Sequence, residues 1–231
     1  MDTKYIAVTG AGRGIGKATV LRLAGDGHTV FALTRNPDAW KSDTIGRIIP
    51  VYLNMEDESS FDKAISLMAA EIDGGLDVLV NNAGYLIHKP ANEMKLIEVD
   101  KVFRVNVGGM LVFTGRCHRL LTRAVQAHIV NISSMGGVQG SMKFPGLSAY
   151  SASKGAVSIL TECLAEEWKT DGIRVNGLAL GSVRTEMLEQ AFPGIEASFT
   201  VEEMAEYIAG FALNGGKYHH GKVLEVSVST P

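Results

Sequence analysis

Short apolar runs alternate along this chain with longer segments in which apolar residues recur every three to four positions. A buried parallel strand reads as a continuous apolar run, whereas a helix lying on a sheet buries only one stripe, so the alternation predicts repeated strand–helix units. Seven runs are predicted strands: Tyr5 to Thr9, Thr29 to Leu33, Ile48 to Leu53, Asp77 to Val80, His128 to Ile132, Ile173 to Ala179 and Val223 to Val226. Between Asp57 and Ile72, the residues Phe61, Ala64, Ile65, Met68 and Ile72 fall on one helical stripe and predict an outer helix. Pro50 cannot donate to a ladder, which assigns the third strand to an edge. Two segments lack periodicity, Met135 to Ser148 and Met187 to Thr200, and are predicted substrate loops.

The fold class this implies is α/β, a doubly wound Rossmann-type parallel sheet of about seven strands with helices on both faces; in the order 3-2-1-4-5-6 the third strand is indeed the edge. With 231 residues, no internal repeat and no Pro/Ser-rich linker, residues 1–231 read as one domain. A net charge of −3 offers no basic field for nucleic acid or anionic lipid, and no apolar stretch reaches the roughly 20 residues that span a bilayer. The start, Met1 to Lys4, lacks the basic and apolar regions of a signal peptide, so a cytoplasmic location is expected. Cys117 and Cys163 form neither a CxxC pair nor a metal-ligand cluster, and they read as reduced, semi-buried thiols with no metal site.

The run Thr9-Gly10-Ala11-Gly12-Arg13-Gly14-Ile15-Gly16 follows the first strand and opens a helix whose apolar positions include Val20, Leu21 and Ala24. Glycines let the backbone turn sharply and approach a pyrophosphate, while the helix start offers unpaired N–H groups and a partial positive charge. Gly10, Gly14 and Gly16 give GxxxGxG, not the commoner GxGxxG. Alone, such a turn could be merely a tight connection.

The TGxxxGIG pattern resembles the short-chain dehydrogenase/reductase family, and the resemblance continues. Asn81-Asn82-Ala83-Gly84, after the fourth strand, is similar to that family's NNAG element, which supports the sheet and borders the cofactor; Asn106, Ser134, Tyr150 and Lys154 match its catalytic tetrad in order and approximate spacing. The resemblance implies a nicotinamide cofactor held by Gly10, Arg13, Gly14, Ile15, Gly16, Asn82, Ala83, Gly84, Tyr150 and Lys154. It gives Ser134 the substrate oxygen, leaving Ser133 a structural role, and makes Asn106 the residue that bends its helix and holds a water linking Lys154 to solvent. Sixteen positions separate Ser134 from Tyr150, a few more than the family usually shows, and the extra residues fall in Gln139 to Phe144.

Tyr150 and Lys154 stand four apart, so on a helix they share one face. An isolated YxxxK is common and is usually an ordinary amphipathic pair. A phenol of pKa roughly 10 is a poor base near neutrality, and a neighbouring ammonium favours phenolate, so Lys154 is expected to lower the Tyr150 value. Tyr150 would then accept the alcohol proton in oxidation or donate one to the carbonyl oxygen in reduction. Ala149, Ser151, Ala152, Ser153, Gly155 and Ala156 leave room around the pair for a ligand or a second element.

Where NAD-binding relatives place an acidic residue at the end of the second strand, this chain has Thr34 and Arg35. With no carboxylate to repel a 2′-phosphate and a guanidinium to pair with it, NADP(H) is expected over NAD(H), with Arg13 as a second cation. Leu53-Asn54-Met55 stands where the family usually has an aspartate beside the adenine, and Leu180 to Thr185 resembles its PGxxxT element, with Leu180 in place of the proline and the Val183 backbone and Thr185 implied to contact the nicotinamide amide. A mostly apolar wall of Tyr85, Leu86, Met135, Gly136, Gly137, Phe144, Met187 and Leu188 suits a small carbonyl or alcohol substrate, under a short lid ending near Val201. His88 and Lys143 are polar neighbours without an assigned role. The C-terminal strand lacks the family's usual glycine pair, and the resemblance implies a homodimer or homotetramer through the helices following Asn106 and Tyr150. Two other readings use the same fold: a non-catalytic NADP-binding regulator, and a lyase or epimerase.

Overall fold

The computed structural model of the chain describes residues 3–40 and 47–228, so Met1 and Asp2, used above in reading the N-terminus, lie outside the described residues. The seven strands are β1 (Tyr5–Thr9), β2 (Thr29–Thr34), β3 (Arg47–Tyr52), β4 (Val78–Asn81), β5 (His128–Ser134), β6 (Arg174–Leu180) and β7 (Val223–Val226). All pair in parallel, in the order β3-β2-β1-β4-β5-β6-β7. Pro50 sits opposite Ala32 on the edge strand, as its missing donor requires.

The sheet is covered on both faces because its strands are apolar on both. One face carries Ala7, Phe31, Leu79 and Ile129 against α2 (Ser59–Glu71), α4 (Met110–Leu121) and α5 (Ser148–Glu167). The outer helix read from its stripe is α2, where Phe61 meets Phe113 of α4 edge to face at 5.6 Å. The other face carries Val8, Val30, Val80 and Val130 against α1 (Gly14–Gly25) and α7 (Val201–Asn214). Between them, α3 (Leu96–Phe103) continues through a π-helical stretch, Arg104–Gly109, into α4. Part of the aperiodic segment after Thr185 is in fact helical: α6 spans Glu186–Ala191, a helix too short to print a stripe. Cys163 is exposed rather than semi-buried, and Cys117 is buried. Among the described residues no helix is long and apolar enough to cross a membrane.

Buried polar groups fix the central strands. Asn81 and Asn131 are opposite one another on β4 and β5, and Asn81 Nδ2 donates both to Asn131 Oδ1 and to Thr114 Oγ1 at 2.8 Å. Asn131 Nδ2 donates in turn to Thr161 Oγ1 of α5 at 2.9 Å. In a dry interior such bonds tolerate little displacement, since an abandoned amide costs more than a satisfied one contributes. The carboxyl ends of β4 and β5 are thereby locked to α4 and α5, the elements that carry the site.

Candidate active site

The chain order reverses between β1 and β4, and open α/β sheets bind their ligands at such a point, beyond the carboxyl ends of the strands. The glycine turn lies at this point, between β1 and α1. Gly10 and Gly14 have φ of 67° and 54°, which L side chains rarely adopt. A Cβ on Gly16 would lie 2.4 Å from Asn82 Nδ2 and 2.5 Å from the Gly10 carbonyl oxygen, so only glycine fits where the turn folds back on the NNAG segment. That segment is tied to the turn through Thr9: its Oγ1 accepts from the Asn82 and Ala83 N–H groups, both at 3.0 Å, and Asn82 Nδ2 donates to the Thr9 carbonyl at 2.9 Å. α1 begins at Arg13 with no side-chain cap and no acidic residue in its first turn. Its first N–H groups and positive end are thus left to a ligand, and this uncapped glycine cradle fits the pyrophosphate of a dinucleotide.

Around the cradle the other expected cofactor residues are distributed as follows. Ile15 is half-buried beside the turn. Arg35 is exposed just past the end of β2, beyond Thr34. Asn54 Oδ1 already accepts from the Glu56 N–H at 3.1 Å, which leaves one lone pair for an adenine amino group. Met55 is buried, and its carbonyl would lie 2.4 Å from a Cβ on Gly109, so it packs on the π-helical stretch. Val183 is buried and bridges Phe199, and Thr185 caps α6 by accepting from the Leu188 N–H at 3.2 Å. Leu180, where a proline was expected, continues the β6 ladder opposite Ser134 and Val226. The Arg13 guanidinium pairs with the Glu186 carboxylate at the start of α6.

Tyr150 and Lys154 lie on consecutive turns of α5, as their spacing requires. Lys154 is buried, its ammonium donates to the Ile132 carbonyl of β5 at 2.8 Å, and Nζ is 5.8 Å from the centre of the Tyr150 ring. Ser134, the last residue of β5, accepts from the Gly136 N–H at 3.2 Å and so has a fixed orientation. Ser133 points the other way: its hydroxyl donates to the Lys154 carbonyl at 2.8 Å, a structural role. The turn Met135–Gly137 lies directly on α5, where a Cβ on Gly137 would come within 2.5 Å of the Gly155 nitrogen. The small residues around Tyr150 therefore receive this turn, which brings Ser134 up to the phenol.

The expected lowering of the Tyr150 pKa is not found. Burial pushes the phenol up to about 12, with the nearby Ser134 hydroxyl acting in the opposite sense. Burial also brings the Lys154 ammonium down to about 8. Desolvation outweighs the ammonium's attraction because the Lys154 charge is spent on a carbonyl and meets the face of the ring rather than its oxygen.

Asn106 is buried in the π-helical stretch that joins α3 to α4. Its Oδ1 accepts from the Tyr85 N–H at 2.7 Å, while Nδ2 donates to the Tyr85 carbonyl at 2.9 Å and to Ser153 Oγ at 2.9 Å. A Cβ on Gly84 would lie 3.5 Å from Lys154 Nζ and 3.7 Å from Asn106 Oδ1, so these two side chains face one another across Gly84. Asn106 thus clamps the backbone of the residue that follows the NNAG segment.

Three segments beyond the strand ends meet one another. The extension Gln139 to Phe144 is stapled by Lys143, whose ammonium donates to the Val138 carbonyl at 2.6 Å and the Ser141 carbonyl at 2.9 Å. Phe192, which drew no attention in the sequence, packs between His88 (ring centres 4.8 Å) and Phe144 (5.5 Å). These rings join the segment after β4, the extension and the end of α6; no local pattern could announce a contact among residues so far apart.

The fold, the glycine cradle and the tyrosine–lysine pair on one face of α5 together define a dinucleotide-binding α/β protein. The model of the short chain dehydrogenase family matches residues 4–196. Cyclopentanol dehydrogenase of Comamonas sp. (strain NCIMB 9872) is 33% identical over 196 residues, 82% of this chain and 77% of that protein. L-2,3-butanediol dehydrogenase of Corynebacterium glutamicum is 35% identical over 223 residues, 91% and 85% of the two chains. The crystal structure of a 3-ketoacyl-(acyl-carrier-protein) reductase from Brucella melitensis complexed with NADH superposes with a TM-score of 0.84 at 27% identity, covering 96% of each chain. The chain belongs to the short-chain dehydrogenase family of NAD(P)-binding oxidoreductases.

Proposed function

We propose that this protein is an NADP(H)-dependent reductase of small carbonyl compounds, or a dehydrogenase of the corresponding alcohols, with both cofactor site and acid–base centre in one domain. The observation that carries the reading is the convergence of Ser134, Tyr150 and Lys154 beside the glycine cradle. When bound, the nicotinamide ring supplies or accepts the hydride. Ser134 holds the substrate oxygen, and Tyr150 donates its proton to that oxygen in reduction and takes it back in oxidation. Lys154 holds positive charge over the face of the Tyr150 ring and would help hold the cofactor. Asn106 positions Tyr85 and borders the path from Lys154 across Gly84.

A phenol held near 12 is protonated throughout the neutral range, the form that carbonyl reduction requires. Carbonyl reduction is expected to be level with pH up to about 8 and to fall above it as Lys154 loses its proton. Alcohol oxidation needs the phenolate, the minor form, and should rise with pH until Lys154 discharges. Initial rates in both directions across pH test this; a reduction rate that climbs with pH would contradict it.

The substrate is a small, uncharged ketone or alcohol, in keeping with the apolar rim and with the cyclopentanol and butanediol named for relatives. Arg35, exposed where a carboxylate would repel the 2′-phosphate, supports NADP(H). Arg35→Asp is expected to lower the ratio of kcat/KM with NADPH to that with NADH by at least about tenfold, the cost of exchanging an attractive charge for a repulsive one. Assembly as a homodimer or homotetramer, in the cytoplasm, belongs to the same reading: Leu111 and Val112 of α4 and Ile159 of α5 are exposed apolar residues on the helices expected to pair. The direct test is to follow NADPH absorbance over a panel of small ketones; product without nucleotide turnover would favour a lyase or epimerase.

A further inference from the structure

The arginine within the glycine cradle is not free. Arg13 is the residue from which α1 starts, and its guanidinium pairs with the carboxylate of Glu186, the first residue of α6, although 173 positions separate them. A second contact places α6 there independently of the ion pair: a Cβ on Gly14 would lie 3.8 Å from Thr185 Cγ2. The start of α6 thus stands over the phosphate-binding end of α1. The first turn of α1 has no acidic residue of its own, so tertiary structure alone brings a negative charge to this end.

We propose that Glu186 is a specificity-determining residue: its carboxylate occupies Arg13 and thereby limits the pull of the cradle on the nucleotide's phosphates, most of all on a 2′-phosphate. The inference rests on the proposed role of Arg13 as a cofactor cation. The side chains are 59% and 65% exposed, and a solvent-exposed pair is held weakly enough to be exchanged. A phosphate dianion carries more charge than a carboxylate and presents the same paired acceptors to the guanidinium, so an incoming nucleotide can take Arg13 from Glu186. Until it does, Glu186 competes for the cation, and afterwards it remains as an uncompensated anion beside the phosphates. Both effects weaken binding, and both scale with the nucleotide's negative charge.

Fluorescence titration of NADPH and NADH on wild type, Glu186→Gln, Arg13→Gln and the double variant tests this without turnover. Glu186→Gln is expected to tighten NADPH by about two- to fivefold, the range an exposed ion pair can supply, and NADH by less. The gain should shrink in the Arg13→Gln background and with added salt. An unchanged ratio of the two affinities, weaker binding of both nucleotides, or an equal gain without Arg13 would overturn the proposal. A wild type that prefers NADH would count against the cofactor reading, and it is distinguished because the Glu186 effect is the change in ratio on substitution, not its starting value.

Discussion

Tyr150→Phe is expected to reduce carbonyl reduction by about 10²–10⁴-fold, the range assigned to a lost general acid. The substitution keeps the ring on α5 and removes only the hydroxyl that faces Ser134, so packing, fold and melting temperature should be near wild type. Nucleotide affinity should also persist, because the cradle of Gly10, Gly14 and Gly16 and the Thr9–Asn82 bonds are untouched. The pattern that checks the assignment is therefore a collapse in kcat with an unchanged nucleotide Kd by titration. Retained turnover would remove the phenol from the mechanism. The high phenol pKa sharpens the expectation: the phenol carries its proton throughout the neutral range, so the substitution removes that proton at every neutral pH.

Gly16→Ala should be the most damaging single methyl at the cofactor site. Two effects oppose each other. Alanine is favoured over glycine within a helix by about 1 kcal/mol. Against that, the added carbon would stand 2.4 Å from Asn82 Nδ2 and 2.5 Å from the Gly10 carbonyl, and overpacking of this kind costs about 1–3 kcal/mol. Neither neighbour can step aside easily, since Asn82 is held by the Thr9 carbonyl and Gly10 is at a positive φ. The turn must open, so we expect nucleotide affinity to fall by at least about tenfold and the melting temperature to drop. Gly25→Ala is the control, in the same helix with nothing within 4 Å of the new carbon, and it should be neutral or mildly stabilising. Equal effects at both positions would show that propensity rather than contact decides.

The seven strands and the outer helix α2 were legible in the chain because parallel strands and amphipathic helices write their burial into local periodicity; the edge position of β3 followed from Pro50 and the fold class, and the place of β7 beside β6 came only with the structure. Boundaries shifted by a residue or two where a strand runs on into polar positions, as β5 does to Ser134. The six-residue α6 was not legible: its pattern is shorter than two turns. The residues of the site were legible from motif and resemblance, and the structure brings Ser134, Tyr150, Lys154 and Asn106 to one end of the sheet. Their electrostatics were not. The spacing of Tyr150 and Lys154 gives the charge on the neighbour but says nothing of how much water each has lost, and burial reverses the expected shift.

By itself, then, the sequence determined what periodicity and short-range stereochemistry can carry: the strand–helix alternation, the turn only glycine can make, and a tyrosine and lysine on one helical face. Tertiary structure alone decided which distant groups meet. The Arg13–Glu186 pair, the Phe192 ring between His88 and Phe144, and the seating of the 135–137 turn on α5 each join residues that no local rule relates. The physical reason is that desolvation and charge pairing depend on the complete set of neighbours, and packing supplies that set only once the sheet has closed around its core.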